Sequence, residues 1–296
     1  MMILKGQLSE YGSLVPLKLR RQGKSVFSNV YAASDCKSGK KVVVKILRSA
    51  LAEDEAAEER FLDEARMDLN HPNIISYIDY GTEPRCFTVS QPVEGITLEE
   101  LKRPLFGSRR EFQKKILRIF ILLADALDYI HQKGIIHCDV KPANLITDKK
   151  MEKITLIDFG QAFRLKGINY EPPRFSMVYS PPEIILKRYS LYCPASDIYS
   201  AGVSLYEVLT GAYPFRTCNS MAMLNLQMNH PLPYSSGIPP AIMEVLQKAT
   251  RKEPFPKPPQ RMKVEEIKAV LKKGIDLRYP SAGEFGHALR DCLALL

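Results

Sequence analysis

The 296-residue sequence contains no C-x-x-C pair, and its cysteines (Cys36, Cys86, Cys138, Cys193, Cys218 and Cys292) are widely spaced. That spacing argues against a thiolate metal site or a disulfide framework and points to a reducing compartment. The start, MMILKGQLSEYG, lacks the long apolar stretch of a secretory signal. The most apolar helical segment, Ile116–Leu127, carries Arg118 and Asp125 and is too short for a membrane span. A cytoplasmic protein with no membrane span is the expectation. Internal repeats are absent, as is any stripe of interleaved basic and aromatic residues. The formal charge of +9 therefore reads as a solvated basic surface, and no nucleic-acid partner is expected. With 45% hydrophobic residues the chain can bury a sizeable core, which excludes disorder as its dominant state.

Two regimes follow along the chain. Up to about residue 95, the β-branched runs Lys40–Leu47 and Arg85–Val93 predict strands. Between them, Glu53–Leu69 has helical composition, with Phe61, Ala65 and Leu69 at four-residue spacing and acidic residues in its first half. Beyond that point helices dominate. Ile116, Ile119, Phe120, Leu123, Leu127 and Ile130 share one face of a helix closed by Gly134. A second helix is expected from Asp197 to Gly211. A hairpin turning at Asp148–Lys150 lies between them, and the Pro-rich Glu253–Gln260 reads as extended.

The chemistry concentrates in IIHCDVKPANLI, residues 135–146, which sets His137, Asp139, Lys141 and Asn144 at H-x-D-x-K-x-x-N spacing. Asp158-Phe159-Gly160 follows at hairpin distance. The two motifs in this order resemble the catalytic loop and metal-binding turn of the protein kinase family. The residue types suit the reaction, because phosphoryl transfer needs a positioned nucleophile and neutralised phosphate charge. By the resemblance, Asp139 accepts the proton of a substrate hydroxyl, and Lys141 sets a positive charge beside the moving phosphoryl group. Asn144 and Asp158 offer oxygens to Mg, a hard cation. His137 and Phe159 read as packing residues.

The resemblance implies an α+β, two-lobed protein-kinase-like fold over residues 11–296. A small β-rich lobe with one main helix spans about 11–93, and a larger, mainly helical lobe about 94–296. ATP would lie between them. Lys45, costly in an apolar run unless paired, matches the lysine that holds ATP phosphates; Glu64 is its expected partner, with Glu58 or Glu59 as the weaker alternatives. Of the family's glycine-rich loop only Gly23 survives, with Val30 at its end, so weakened nucleotide affinity is expected. Gln91 and Val93 take the places whose backbone contacts adenine, behind a small Ser90.

Ser176, Glu183 and Arg278 resemble the peptide-binding segment and its buried ion pair in kinases acting on a protein Ser/Thr acceptor. These three positions disfavour a small-molecule kinase. Asp197 is either a helix N-cap or, by the resemblance, an anchor for the catalytic loop. Cys138 stands where regulated members carry an Arg, so activity independent of phosphorylation in the Asp158–Glu183 segment is expected. Residues 252–275 read as an insertion of unassigned role. The alternative function is a pseudokinase, a nucleotide-binding or scaffold module.

Overall fold

The computed structural model describes residues 3–17, 28–51, 54–101, 108–169 and 173–296. Residues 4–90 supply strands β1 (Leu4–Lys5), β2 (Glu10–Pro16), β3 (Ser28–Asp35) and β4 (Lys41–Leu47), helix α1 (Glu55–Arg66), and strands β5 (Tyr77–Gly81) and β6 (Phe87–Ser90). The strands form one antiparallel sheet in the order β1-β2-β3-β4-β6-β5. The sheet begins at Leu4, ahead of the expected start at residue 11. The Asp79 carboxylate accepts the amides of Gln7, Leu8 and Ser9 at 2.9, 3.0 and 3.2 Å and the Tyr11 hydroxyl at 2.8 Å. Lys5 also donates its amide to the Glu83 carbonyl at 3.3 Å.

Alternation sets the faces of β4. Val42, Val44 and Ile46 are buried with Leu4, Tyr11, Phe87 and Val89, leaving Val43 and Lys45 on the opposite face. The expected second strand is shorter than Arg85–Val93. Past Ser90 the Gln91 amide bonds to the Ser76 carbonyl at 3.0 Å, and Pro92 has no N–H to offer a neighbour. Helix α1 also ends earlier than expected. Asp54 caps it by accepting from Ala56 and Ala57, and Asp68 (φ 45°) turns into the left-handed region, so Leu69 lies past the helix. Met67 joins the core while Asp68 is exposed.

The rest of the chain comprises β7 (Ile96–Thr97), α2 (Arg109–Gln132), β8 (Ile135–Ile136), β9 (Leu145–Thr147), β10 (Ile154–Leu156), β11 (Phe163–Arg164), α3 (Pro182–Ile185), α4 (Pro194–Thr210), α5 (Ser220–Asn229), α6 (Pro240–Ala249), α7 (Val264–Asp276) and α8 (Ala282–Leu295). The two-lobed α+β expectation is met. Helix α2 is the spine of the second part: its predicted face from Ile116 to Ile130 is fully buried, packed by α4 and α8. Each such side chain contributes about 1.5–3 kcal/mol on burial. Gly134, at φ +72°, turns the chain out of α2 as a residue with a Cβ would not do without strain. The predicted hairpin is β9–β10, its turn fixed by the Asp148 carboxylate accepting the amides of Glu152 and Lys153. Helix α4 starts at Pro194, which puts Asp197 inside its first turn and removes the N-cap reading. The Pro-rich segment ends in a short 3-10 turn at Pro259–Arg261, and α7 forms the second half of the inserted stretch.

Candidate active site

Strand register builds the first half of the site. Lys45 pairs with Val30 of β3 on one side and Thr88 of β6 on the other, so the three side chains share a face. Lys45 Nζ donates to Asp158 Oδ1 at 2.9 Å and to the Glu64 carboxylate at 3.1 and 3.2 Å. Glu64, 2% exposed on α1, also accepts from the hydroxyls of Tyr77 (2.9 Å) and Thr88 (3.2 Å). Burial opposes a charge on Lys45, yet Asp158 and Glu64 outweigh it and hold the ammonium well above its ordinary pKa. The same burial pushes the Glu64 carboxyl up against the pull of Lys45. The expected Lys45–Glu64 partnership is thus present in the geometry, and Asp158 completes a triangle.

Lys141, Asn144 and Ser176 converge on Asp139. Its Oδ2 accepts from Lys141 Nζ at 2.6 Å and Asn144 Nδ2 at 3.0 Å, and its Oδ1 from Ser176 Oγ at 2.6 Å. Asn144 Nδ2 bonds to the Asp139 carbonyl as well, at 2.9 Å, which turns the amide oxygen away from Asp139. The β9–β10 hairpin brings Asn144 and Asp158 to one end, because Leu145 pairs with Leu156 and the Ile157 amide donates to the Asn144 carbonyl at 3.0 Å. Both loops carry strained backbone, with φ of 62° at Cys138, next to Asp139, and 70° at Asp158.

Asp197 holds that backbone. Its carboxylate accepts the amides of His137 and Cys138 at 2.8 and 2.9 Å and faces His131 Nε2 at 2.8 Å. His137 stacks edge-on against Phe159 at 4.8 Å, and both are buried, in keeping with packing roles. Cys138 lies in an apolar cluster with Ile136, Ile184 and Tyr192, packed by Phe163 and Phe175. Glu183 and Arg278 form a buried two-pronged pair at 2.6 and 3.1 Å. Ser90 is buried at the end of β6, with exposed Gln91 and half-buried Val93 just beyond it. Gly23 lies outside the described residues.

Several contributors escaped the sequence reading. Arg60 of α1 donates to the Gly160 carbonyl at 3.0 Å and to Gln161 Oε1 at 2.8 Å, and Asp63 pairs with Arg164 at 2.8 Å. Arg60, Asp63, Glu64 and Met67 follow helical i, i+3, i+4, i+7 spacing, a stripe that was available as a signal. Tyr77, Thr88 and His131 had none beyond their chemistry.

Comparison with known proteins extends this geometry. The chain is 34% identical over 247 residues to the serine/threonine-protein kinase PrkC of Bacillus subtilis, covering 80% of this chain and 37% of that protein. It is 29% identical over 285 residues to a probable serine/threonine-protein kinase of Streptomyces coelicolor, covering 92% of this chain and 39% of that one. Aurora kinase B of Mus musculus is 29% identical over 253 residues, 84% of this chain and 70% of the relative. The chain thus spans well under half the length of the two bacterial relatives. The protein kinase domain family matches residues 18–273. Loop, turn, lysine and comparisons agree, and the chain belongs to the protein kinase family.

Proposed function

We propose that this chain is a serine/threonine protein kinase that moves the γ-phosphoryl group of ATP to a protein hydroxyl. The observation that carries the reading is the Asp139 cluster: one buried carboxylate held by Lys141, Asn144 and Ser176. The acceptor hydroxyl takes a hydrogen bond to Asp139, its oxygen forms the new bond to the γ-phosphorus, and the bond to the β-phosphate oxygen breaks to leave ADP. Asp139 receives the proton. Lys141 supplies positive charge beside the transferring group, and Ser176 spans the side from which a Ser or Thr side chain would approach. Lys45, held by Glu64, binds the ATP phosphates, and Val30, with Gly23 ahead of it, covers the nucleotide. The backbone of Gln91 and Val93 receives adenine.

Magnesium fits the donors present. Among the described residues no three His, Cys, Asp or Glu gather as a cation site, but Mg needs only one or two carboxylates besides phosphate oxygens. Asn144 and Asp158 would hold it, and it would neutralise phosphate charge. Among the described residues no helix is long and apolar enough to cross a membrane, which is compatible with a cytoplasmic site of action.

The test is phosphate incorporation from Mg-ATP into an arrayed Ser/Thr peptide library. Wild type should exceed Asp139→Asn by about 10²–10⁴-fold. Wild-type protein that binds ATP yet transfers no more than the variant would replace the enzyme with a nucleotide-binding module.

A further inference from the structure

The inserted helix α7 reaches the peptide-binding segment through buried polar groups. Gly274 of α7 lies directly on the chain at Lys252–Glu253: a Cβ there would come within 2.8 Å of the Glu253 amide nitrogen and 3.1 Å of the Lys252 Cα. Lys273 pairs with Glu253 at 2.5 Å, and the Phe255 amide donates to Asn229 Oδ1 at 2.8 Å, so the root of the insertion is fixed on both sides. Lys252 then turns its amine inward. Nζ donates to the Tyr199 hydroxyl at 2.9 Å and to the Gln227 carbonyl at 2.8 Å, over the rings of Tyr199 and Phe215.

The next contacts lead to the acceptor side of the site. Tyr199 donates to Gln227 Oε1 at 3.3 Å, and Gln227, fully buried, donates its Nε2 to the Val178 carbonyl. Val178 lies two residues beyond Ser176, the hydroxyl on Asp139. A half-buried amine turned away from water is costly without a counter-charge. Among the described residues no carboxylate pairs with Lys252, because the nearby Glu183 is taken by Arg278. Burial and the Arg278 charge accordingly lower its pKa to about 7. An amine kept at this cost, bonded only to groups that lead to Val178, is placed for what it orients.

We propose that Lys252 is a positioning residue for the protein acceptor: seated by Gly274 of the inserted helix, it fixes Tyr199 and Gln227 and through them the Val178 backbone against which the acceptor lies. The inference rests on the kinase reading above and assigns the insertion a role in acceptor binding. It places no residue on ATP.

The test separates acceptor from nucleotide. With the best peptide from the library, steady-state KM for peptide and for ATP is measured in wild type, Lys252→Met, Gln227→Leu and Gly274→Ala, with melting temperatures alongside. Peptide KM should rise about tenfold in Lys252→Met and Gln227→Leu, corresponding to loss of one buried hydrogen bond, while ATP KM and kcat stay within about twofold. Gly274→Ala should raise peptide KM in the same sense even though alanine favours the helix itself. The Lys252→Met/Gln227→Leu double variant should be no worse than the worse single, since both break one chain of contacts. Unchanged peptide KM in folded variants overturns the proposal, as does a parallel rise in both KM values with a fall in kcat, the mark of a general structural role. If Lys252→Met does not fold, Gln227→Leu and Gly274→Ala decide by the same readout. Wild type that phosphorylates no peptide above Asp139→Asn overturns the kinase reading, and the inference with it.

Discussion

Tyr77 donates its hydroxyl to Glu64 Oε2 at 2.9 Å, the same oxygen that lies 3.1 Å from Lys45 Nζ. A β5 side chain therefore helps to hold the α1 carboxylate in place for the β4 lysine. Tyr77→Phe removes a hydrogen bond to a charged acceptor, worth about 1.5–3 kcal/mol. The expected outcome is a rise in ATP KM or fall in kcat/KM of roughly 10–100-fold, read by steady-state kinetics, with Lys45→Met more severe.

The Glu183–Arg278 pair should matter for stability rather than chemistry. Glu183 also accepts from Ser196 Oγ at 2.8 Å, and Arg278 donates to the Arg251 carbonyl at 2.7 Å, so each charge is fully enclosed by partners. Arg278→Leu strands a buried carboxylate and should cost about 3–5 kcal/mol, seen as a lower urea midpoint. Wild-type stability in this variant would show the pair to be dispensable.

Activity should persist without phosphate on the Asp158–Glu183 segment. The place of a phosphate-binding Arg is filled by buried Cys138 and its apolar neighbours, while Arg164–Asp63 and Arg60–Gln161 already tie the segment to α1. Phosphatase-treated protein should retain full kcat, as should Tyr170→Phe. Arg164→Ala should lower it. Inert dephosphorylated protein that recovers on loop phosphorylation would refute this.

Lys252 also makes a pH prediction. Its pKa is about 7 when folded, set by burial and Arg278 with Glu183 opposing, and Tyr199 is the other titratable group against it. Between that value and its ordinary pKa of about 10.5 the unfolded chain binds the extra proton, so stability from this group rises with pH across the window. Below about pH 7 both states are charged and the burial cost is complete. The stability of Lys252→Met relative to wild type should thus be most favourable near pH 6 and decline toward pH 10, measured by urea denaturation.

Much of the fold was legible because long periodic segments report their own burial. The α2 face from Ile116 to Ile130 and the alternation of β4 needed no tertiary information. Local endings did: α1 stops at Arg66 because Asp68 takes a left-handed turn that composition does not announce, and β6 stops where Gln91 turns to Ser76. In the site, Asp139, Asn144 and Asp158 were readable from motif spacing, while Lys45 and Glu64 came only through the resemblance to the kinase family. Tyr77, Thr88 and the Lys252–Tyr199–Gln227 chain were not, since their meaning arises only when distant strands and helices come side by side.

The first strand has a consequence for anyone shortening this protein. Lys5 is paired to β2 through its own strand and bridged to Glu83 just past β5, so the outermost strands of the sheet meet through it. That bridge and the Asp79 carboxylate, which holds the amides of Gln7, Leu8 and Ser9, tie the two edges of the sheet together. Removing residues before Tyr11 would open both rims, baring unpaired amides and carbonyls of the kind that recruit foreign strands. Loss of solubility is the expected penalty, even though Lys45, Asp139 and Asp158 would all remain.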